Sequence, residues 1–192
     1  DCTVIMVHEG LAALVQAEKA AVEALAARFK LTPGPEEITS HWLGHRNNVP
    51  SWDLFLQRNI VLDTVEVSAD WTRIGDIYDA ATASLAQMKG MLAGSAHSSH
   101  VYRSGLNLYF TFALQLDEPD ELEGAYFDGW RRIMEATDKH GGSLSHHHGI
   151  GRVRRDWLVR ELGEEGVGLL RKVKAALDPD GIMNPGVLLP DA

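Results

Sequence analysis

The alternation of apolar and polar positions divides the chain into segments of period two and segments of helical period. CTVIMVHEG, residues 2–10, is short, apolar and β-branched, and its period-two character predicts a strand. Residues 11–30 are rich in Ala, Leu, Glu and Lys at helical spacing and predict a helix, which Pro33, Gly34 and Pro35 stop. Residues 36–59 read as partly helical, interrupted at Pro50, and carry Trp42, His45, Arg46 and Trp52. VLDTVEVSA, residues 61–69, alternates faces as a second strand, and Asp70 then stands as the N-cap of a helix over residues 71–92.

Two further β segments, residues 95–102 and 106–116, flank Arg103, Ser104 and Gly105 and predict a hairpin. Within the second, Leu108, Phe110 and Phe112 share one face, while Asn107, Tyr109 and Thr111 share the other. Residues 121–140 form an amphipathic helix that Gly141 and Gly142 end, residues 156–162 and 165–177 read as helices, and DPDGIMNPG closes the chain with turn residues. This order predicts an α+β fold, an antiparallel sheet with helices packed on one face and further helices at the C-terminal end. The apolar stripes of residues 11–27 and 169–177 are assigned to the core, and Trp71, Trp130 and Trp157 to helix anchoring.

At 192 residues, 45% hydrophobic and 23% charged, the chain fits one globular domain of moderate size. It has no apolar run near the roughly 18 residues that a membrane span needs. A net charge of −9 excludes nucleic acid or an anionic membrane as the main partner, so any anion site must be local. The single cysteine, Cys2, cannot form an internal disulfide, which suits a reducing, cytoplasmic setting. A chain that opens on Asp1 at a strand, with no basic-then-apolar leader, reads as a piece of something longer.

The densest chemistry lies in GSLSHHHGIGRVRR, where His146, His147 and His148 precede Gly149, Gly151 and then Arg152, Arg154 and Arg155. Three adjacent histidines do not ligate one metal comfortably, because zinc ligands are usually spaced by two or more residues, so no metal set is assigned. A solvated polar loop and a proton-handling loop both remain open readings. The flanking glycines suggest a backbone that something approaches closely, and imidazole is the side chain best suited to exchange protons near neutral pH. The Gly-Ile-Gly run lacks the third glycine of a dinucleotide fingerprint and the lysine of a P-loop, but the arginines can hold phosphate or carboxylate oxygens by bidentate contacts. Tyr109 sits among polar neighbours, and His97 and His100 on the adjoining strand can face it across the hairpin.

SLSHHHGIGRVRRDWL followed by DPDGIMNPGVLLP resembles the carboxy-terminal part of the FAD-linked oxidases of the vanillyl-alcohol oxidase type, and the likeness extends through SADWTRIGDIYDAATASL and VYRSGLNLYFTFAL. The HHH loop is most similar to that of the alkyldihydroxyacetonephosphate synthase branch. Hydroxyacid dehydrogenases of the superfamily carry Glu-His there and complete a metal site with hairpin histidines. Here His100 matches the first of those, Tyr109 stands in place of the second and His147 replaces the acid, so the resemblance implies a broken metal set and a tyrosine installed as base.

The resemblance further implies a ferredoxin-like cap domain spanning residues 1–192 that covers the substrate. FAD would be held mainly by an N-terminal FAD-binding domain outside this chain. It implies exchange of an acyl for an alkyl group on dihydroxyacetone phosphate, without net redox change, in ether-lipid synthesis. Tyr109, His146, His147 and His148 would be catalytic, Arg46, Gly149, Gly151 and Asn184 would meet the cofactor, and His100, Arg152 and Arg154 the substrate. An isolated chain of this kind is expected to be colourless and inactive, cytoplasmic or peripheral to a membrane, and able to pair as a homodimer. The competing readings are an FAD-linked oxidoreductase of 2-hydroxy acids such as D-lactate or glycolate, a non-catalytic interaction module, and a metal-binding module built on His97, His100 and the histidine loop.

Overall fold

The computed structural model describes residues 4–48 and 51–190, and the chain divides into two compact units, Asp1–Pro50 and Ser51–Ala192. In the first unit, helix α1 spans Ala12–Arg28 and helix α2 spans Glu36–His45. The turn between them begins at Lys30, which adopts a left-handed φ of 56°, and runs into the prolines. The strand expected at residues 2–10 is corrected: residues 2 and 3 lie outside the described residues, residues 4–9 take part in no strand, and Val4, Met6 and Val7 are exposed. Period-two patterning proposes a strand, but only a partner's hydrogen bonds make one. The core assignment for residues 11–27 is also corrected, because α1 buries none of its residues. Apolar residues are spread around this helix, alanines towards one side and Leu14, Val15, Val22 and Leu25 towards the other, so no single face is marked out for cover.

The second unit holds a short helix α3, Asp53–Leu56, and then strand β1, Ile60–Asp70. Helix α4 is Ile74–Leu85, strand β2 is Met91–His97 and strand β3 is Gly105–Gln115. Helix α5, Leu122–Lys139, follows a single 3-10 turn, and helix α6, Leu158–Leu177, is broken at Gly163, whose φ of 70° no right-handed helix accepts. The break falls between the two helices expected at residues 156–162 and 165–177.

Two boundaries move. The helix expected over residues 71–92 begins only at Ile74, because Asp70 ends β1 and its carboxylate accepts the backbone N–H of Thr72 at 2.9 Å, capping a turn instead. It ends at Leu85, and residues 91–97 form the strand expected at 95–102. Trp71, assigned as a helix anchor, is exposed, with its indole N–H donating to the carbonyl of Tyr102.

The sheet is antiparallel with order β1-β3-β2, and its register explains its two faces. Val61, Val65 and Val67 pair with Leu114, Phe110 and Leu108, and this face is covered by α4 and α5 through Ile77, Leu85, Trp130, Ile133 and Met134. Burial of these side chains stabilises the sheet by roughly 1.5–3 kcal/mol apiece. The opposite face carries Thr64, Glu66 and Ser68 against Thr111, Tyr109 and Asn107, and His97 pairs with Tyr109 from β2. The α6 residues Leu169, Val173 and Leu177, expected in the core, are exposed; that helix buries Leu158 and Val167 instead. Among the described residues, no helix is long and apolar enough to cross a membrane.

Candidate active site

Helix α5 delivers the histidine loop to the sheet. Gly141 turns the chain at φ 68°, and Gly142 passes so close to Ile77, Thr137 and the Ser68 carbonyl that a Cβ would meet a side-chain carbon at 2.6 Å. Ser143 then pairs with Ser68 at the free edge of β1, through N–H to O distances of 2.7 and 3.2 Å. Glu161 of α6 accepts from the Ser143 hydroxyl and the Leu144 N–H, at 2.7 and 2.9 Å. At the loop's other end Arg154, 5% exposed, donates to the Gly149 carbonyl at 2.9 Å and to the Glu66 carbonyl at 3.2 Å, with its guanidinium stacked 4.8 Å over Trp130. Burial lowers the Arg154 pKa from its ordinary value, and the Glu66 and Asp63 charges counter that pull.

Between these anchors the loop sets its imidazoles around one carboxylate. Glu66 is fully buried, and its oxygens lie 3.2 Å from His146 Nδ1, 3.0 Å from His147 Nδ1 and 3.8 Å from His148 Nε2. It accepts from Asn107 Nδ2 at 2.5 Å and from the His147 backbone N–H at 3.2 Å. Burial opposes ionisation of Glu66, but the bonds from Asn107 and His147 and the neighbouring imidazoles outweigh it and lower its pKa below the ordinary carboxylate value.

Ring contacts join the remaining residues. His148 stands edge-on to Tyr109 with centroids 5.1 Å apart, and His97 stacks against Tyr109 at 5.0 Å. His100 lies 5.1 Å from both His146 and His147. Tyr102 Oη meets His146 Nε2 at 2.9 Å, and Thr64 donates to the Tyr109 hydroxyl at 3.1 Å, which leaves the phenol's own hydrogen to point elsewhere. An open concavity of about 310 Å³ adjoins the cluster, lined by Ser68, Asp70, Tyr102, Gly105 and His146 among others.

Tyr109, His100, His146, His147 and His148 are therefore gathered in one place. Arg152, exposed, donates to the Pro185 carbonyl, and the Leu188 N–H bonds to the Gly151 carbonyl, so the C-terminal tail lies along this loop. Asn184 is exposed in that tail, where its carbonyl accepts from Val187. Gly149 and Gly151 both have positive φ and open space where a Cβ would stand. Arg46 belongs to the first unit, at the end of α2, with its guanidinium 5.3 Å over Trp42.

Sequence reasoning missed Glu66, Tyr102 and the bonding role of Asn107. The available signal was an acid between Val65 and Val67, on the face of the strand that alternation shares with Thr64 and Ser68. Glu66, His100, His146 and His147 each bring one donor atom within 4.8 Å of the others, and these are the residues that could hold a metal ion. Gly149 and Gly151 leave open space where a Cβ would stand, beside partly exposed imidazoles. Among the described residues there is no glycine-rich cradle for the pyrophosphate of a flavin cofactor.

The profile described as FAD linked oxidases, C-terminal domain, matches residues 4–188. Alkyldihydroxyacetonephosphate synthase of Trypanosoma brucei brucei is 31% identical over 192 residues, covering 97% of this chain and 31% of its own length. The uncharacterized FAD-linked oxidoreductase YgcU of Escherichia coli O157:H7 is 31% identical over 205 residues, covering 98% of this chain and 42% of its own. A solved alkyldihydroxyacetonephosphate synthase superposes with a TM-score of 0.57 at 21% identity, over 91% of this chain and 28% of that one. This chain thus spans less than half the length of the curated relatives it matches.

Proposed function

Because this chain belongs to the family of FAD linked oxidases, C-terminal domain, we propose that it is the substrate-covering part of a flavoenzyme of the alkyldihydroxyacetonephosphate synthase type. In that reaction an alkyl chain replaces the acyl chain on dihydroxyacetone phosphate. FAD is the cofactor of the family, bound mainly by a flavin domain that this chain partners, and when bound it supplies the reactive ring system. The observation that supports the reading is the convergence of Tyr109 with His146, His147 and His148 on the open face of the sheet around Glu66. Removing a proton beside a carbonyl needs a base held in a water-poor, hydrogen-bonded setting, and these side chains offer a phenol and imidazoles within a few ångströms of each other.

In this reading Tyr109 and the imidazoles hold and move the proton, His100 and the exposed Arg152 meet the anionic end of the substrate, and Gly149, Gly151, Asn184 and Arg46 face the cofactor. Arg154, with both terminal nitrogens occupied by carbonyls, holds the loop instead of the substrate.

A second reading, an oxidoreductase of a 2-hydroxy acid, draws on the glycolate oxidase subunit GlcD of Escherichia coli K12, 32% identical over 112 residues covering 54% of this chain. Assay of the full-length protein separates the two. Acyl-for-alkyl exchange in the absence of an electron acceptor supports the synthase. Flavin bleaching by D-lactate or glycolate, with turnover only when an acceptor is present, overturns it in favour of the oxidoreductase.

A further inference from the structure

Residues 98–104 join β2 to β3, and the first of them bond to a single fully buried amide, that of Asn107. Its Oδ1 accepts from the Ser98 hydroxyl at 3.1 Å, from the Ser99 N–H at 3.1 Å and from the His100 N–H at 2.9 Å. The backbone N–H of Asn107 donates to the His100 carbonyl at 3.2 Å, so both main-chain polar groups of His100 are bound to this one residue. On its other side the amide reaches across to β1. There Nδ2 donates to Glu66 Oε1 at 2.5 Å, and it also donates to the Ser99 hydroxyl at 3.2 Å.

The orientation of the amide follows from these partners. Backbone N–H groups only donate, so the atom that faces Ser99 and His100 is the oxygen, and the nitrogen faces the carboxylate. In the register of β1 and β3, Glu66 stands opposite Tyr109 and Ser68 opposite Asn107, which makes acid and amide diagonal neighbours on the open face. A hairpin loop needs an acceptor for its N–H groups, but it has no need for that acceptor to bind an acid on the next strand. The bond to Glu66 ties the loop that carries His100 to the carboxylate beside which His146 and His147 stand. None of the bonds made by Asn107 depends on the protonation of an imidazole.

We infer that Asn107 is a positioning residue that sets the hairpin loop against the histidine loop, holding His100 at one end of its amide and Glu66 at the other. The rings it spaces lie 5.1 Å apart, His100 from His146 and His100 from His147. The inference deepens the proposed function, and it rests on that reading for the assignment of His100 to the substrate and of the side chains around Glu66 to turnover.

The test uses full-length protein carrying Asn107→Asp or Asn107→Ala, above neutral pH. Aspartate keeps the shape and an oxygen for the Ser99 and His100 N–H groups but turns an acceptor toward Glu66, whereas alanine cuts both ends. Carbon–proton NMR of labelled histidine, on substrate-free protein, is expected to show the His146 and His147 signals moved in Asn107→Asp, and the His100 signal moved as well in Asn107→Ala. Asn107→Asp should lower kcat by about 10-fold or more with KM within about twofold, and Asn107→Ala should in addition raise KM by about 10-fold. A residue that only braced the hairpin would lower the unfolding midpoint and leave the folded protein's histidine signals and kcat at wild-type values. That result in both variants overturns the inference. If Asn107→Ala does not fold by circular dichroism, the isosteric Asn107→Asp decides alone, and wild-type kcat with unmoved His146 and His147 signals overturns it. Moved histidine signals and lowered kcat without any rise in KM uphold the positioning role and overturn instead the assignment of His100 to the substrate.

Discussion

Asp63 and Glu66 lie three residues apart on β1 and point to opposite faces of the sheet, and both are partly or wholly buried acids. Asp63 faces the helices, where it accepts from Tyr126 Oη at 2.7 Å and from Trp130 Nε1 at 3.0 Å. Those donors keep their hydrogens through the neutral range, and burial together with Asp63 pushes the Tyr126 pKa up to about 12. Glu66 faces the imidazoles of His146, His147 and His148. The same requirement, that a buried carboxylate be surrounded by polar partners, yields a joint to the helices on one face and a cluster of imidazoles on the other. Arg154 lies between them, attracted to both charges, so the two faces share one cation.

The contrast predicts that damage to the covered face reads out as lost fold, and damage to the open face as lost turnover. The largest stability effect is expected for Phe110→Ala, which empties a fully buried position beneath α4 and α5 and should cost about 4 kcal/mol in urea unfolding. Asp63→Ala leaves the Tyr126 hydroxyl and the Trp130 N–H without their acceptor and should cost about 3 kcal/mol. In the protein that remains folded, kcat should be nearly unchanged. A kcat loss from Asp63→Ala as large as that from Glu66→Gln would erase the distinction between the faces. Arg154→Lys keeps the charge but cannot reach the Gly149 and Glu66 carbonyls with one planar fork, and about 1.5 kcal/mol should be lost, with a measurable fall in kcat as the loop loosens.

The smallest effects are in the pH limbs. The folded pKa of Tyr126 is raised above its unfolded value near 10, so its contribution is complete below pH 10 and fades as pH climbs through about 12. Tyr126→Phe should flatten the alkaline limb of unfolding midpoint against pH. The folded pKa of Glu66 is lowered, so its contribution is present above the unfolded value of 4.5 and is lost as pH falls through the lower folded one. Glu66→Gln should therefore soften the acid limb and leave the alkaline one as it was.

The covered face was legible because Val65, Val67, Leu108, Phe110 and Phe112 alternate with polar residues, and period two needs no knowledge of partners. Tyr109 and the histidine loop were legible as chemistry, since both carry proton-handling groups in unusual company. Glu66 was not, because an acid at an alternating position reads as a solvent-facing residue until the loop that covers it is in place. The strand expected at residues 2–10 failed for the complementary reason: its pattern is right, but no neighbouring strand pairs with its described part. The apolar positions of α1 and of Leu169, Val173 and Leu177 show that spacing identifies a stripe without identifying what, if anything, lies over it.

The histidine segment is fastened at two points, by the Ser143 pairing with the edge of β1 and by the Arg154 fork onto Glu66 and Gly149. Between two such rivets the tolerance for change is asymmetric. Exchanging one side chain there alters one ring, whereas adding or deleting a single residue would turn every imidazole away from the carboxylate at once. The length of this stretch is therefore under a constraint of its own, separate from the constraint on any one histidine.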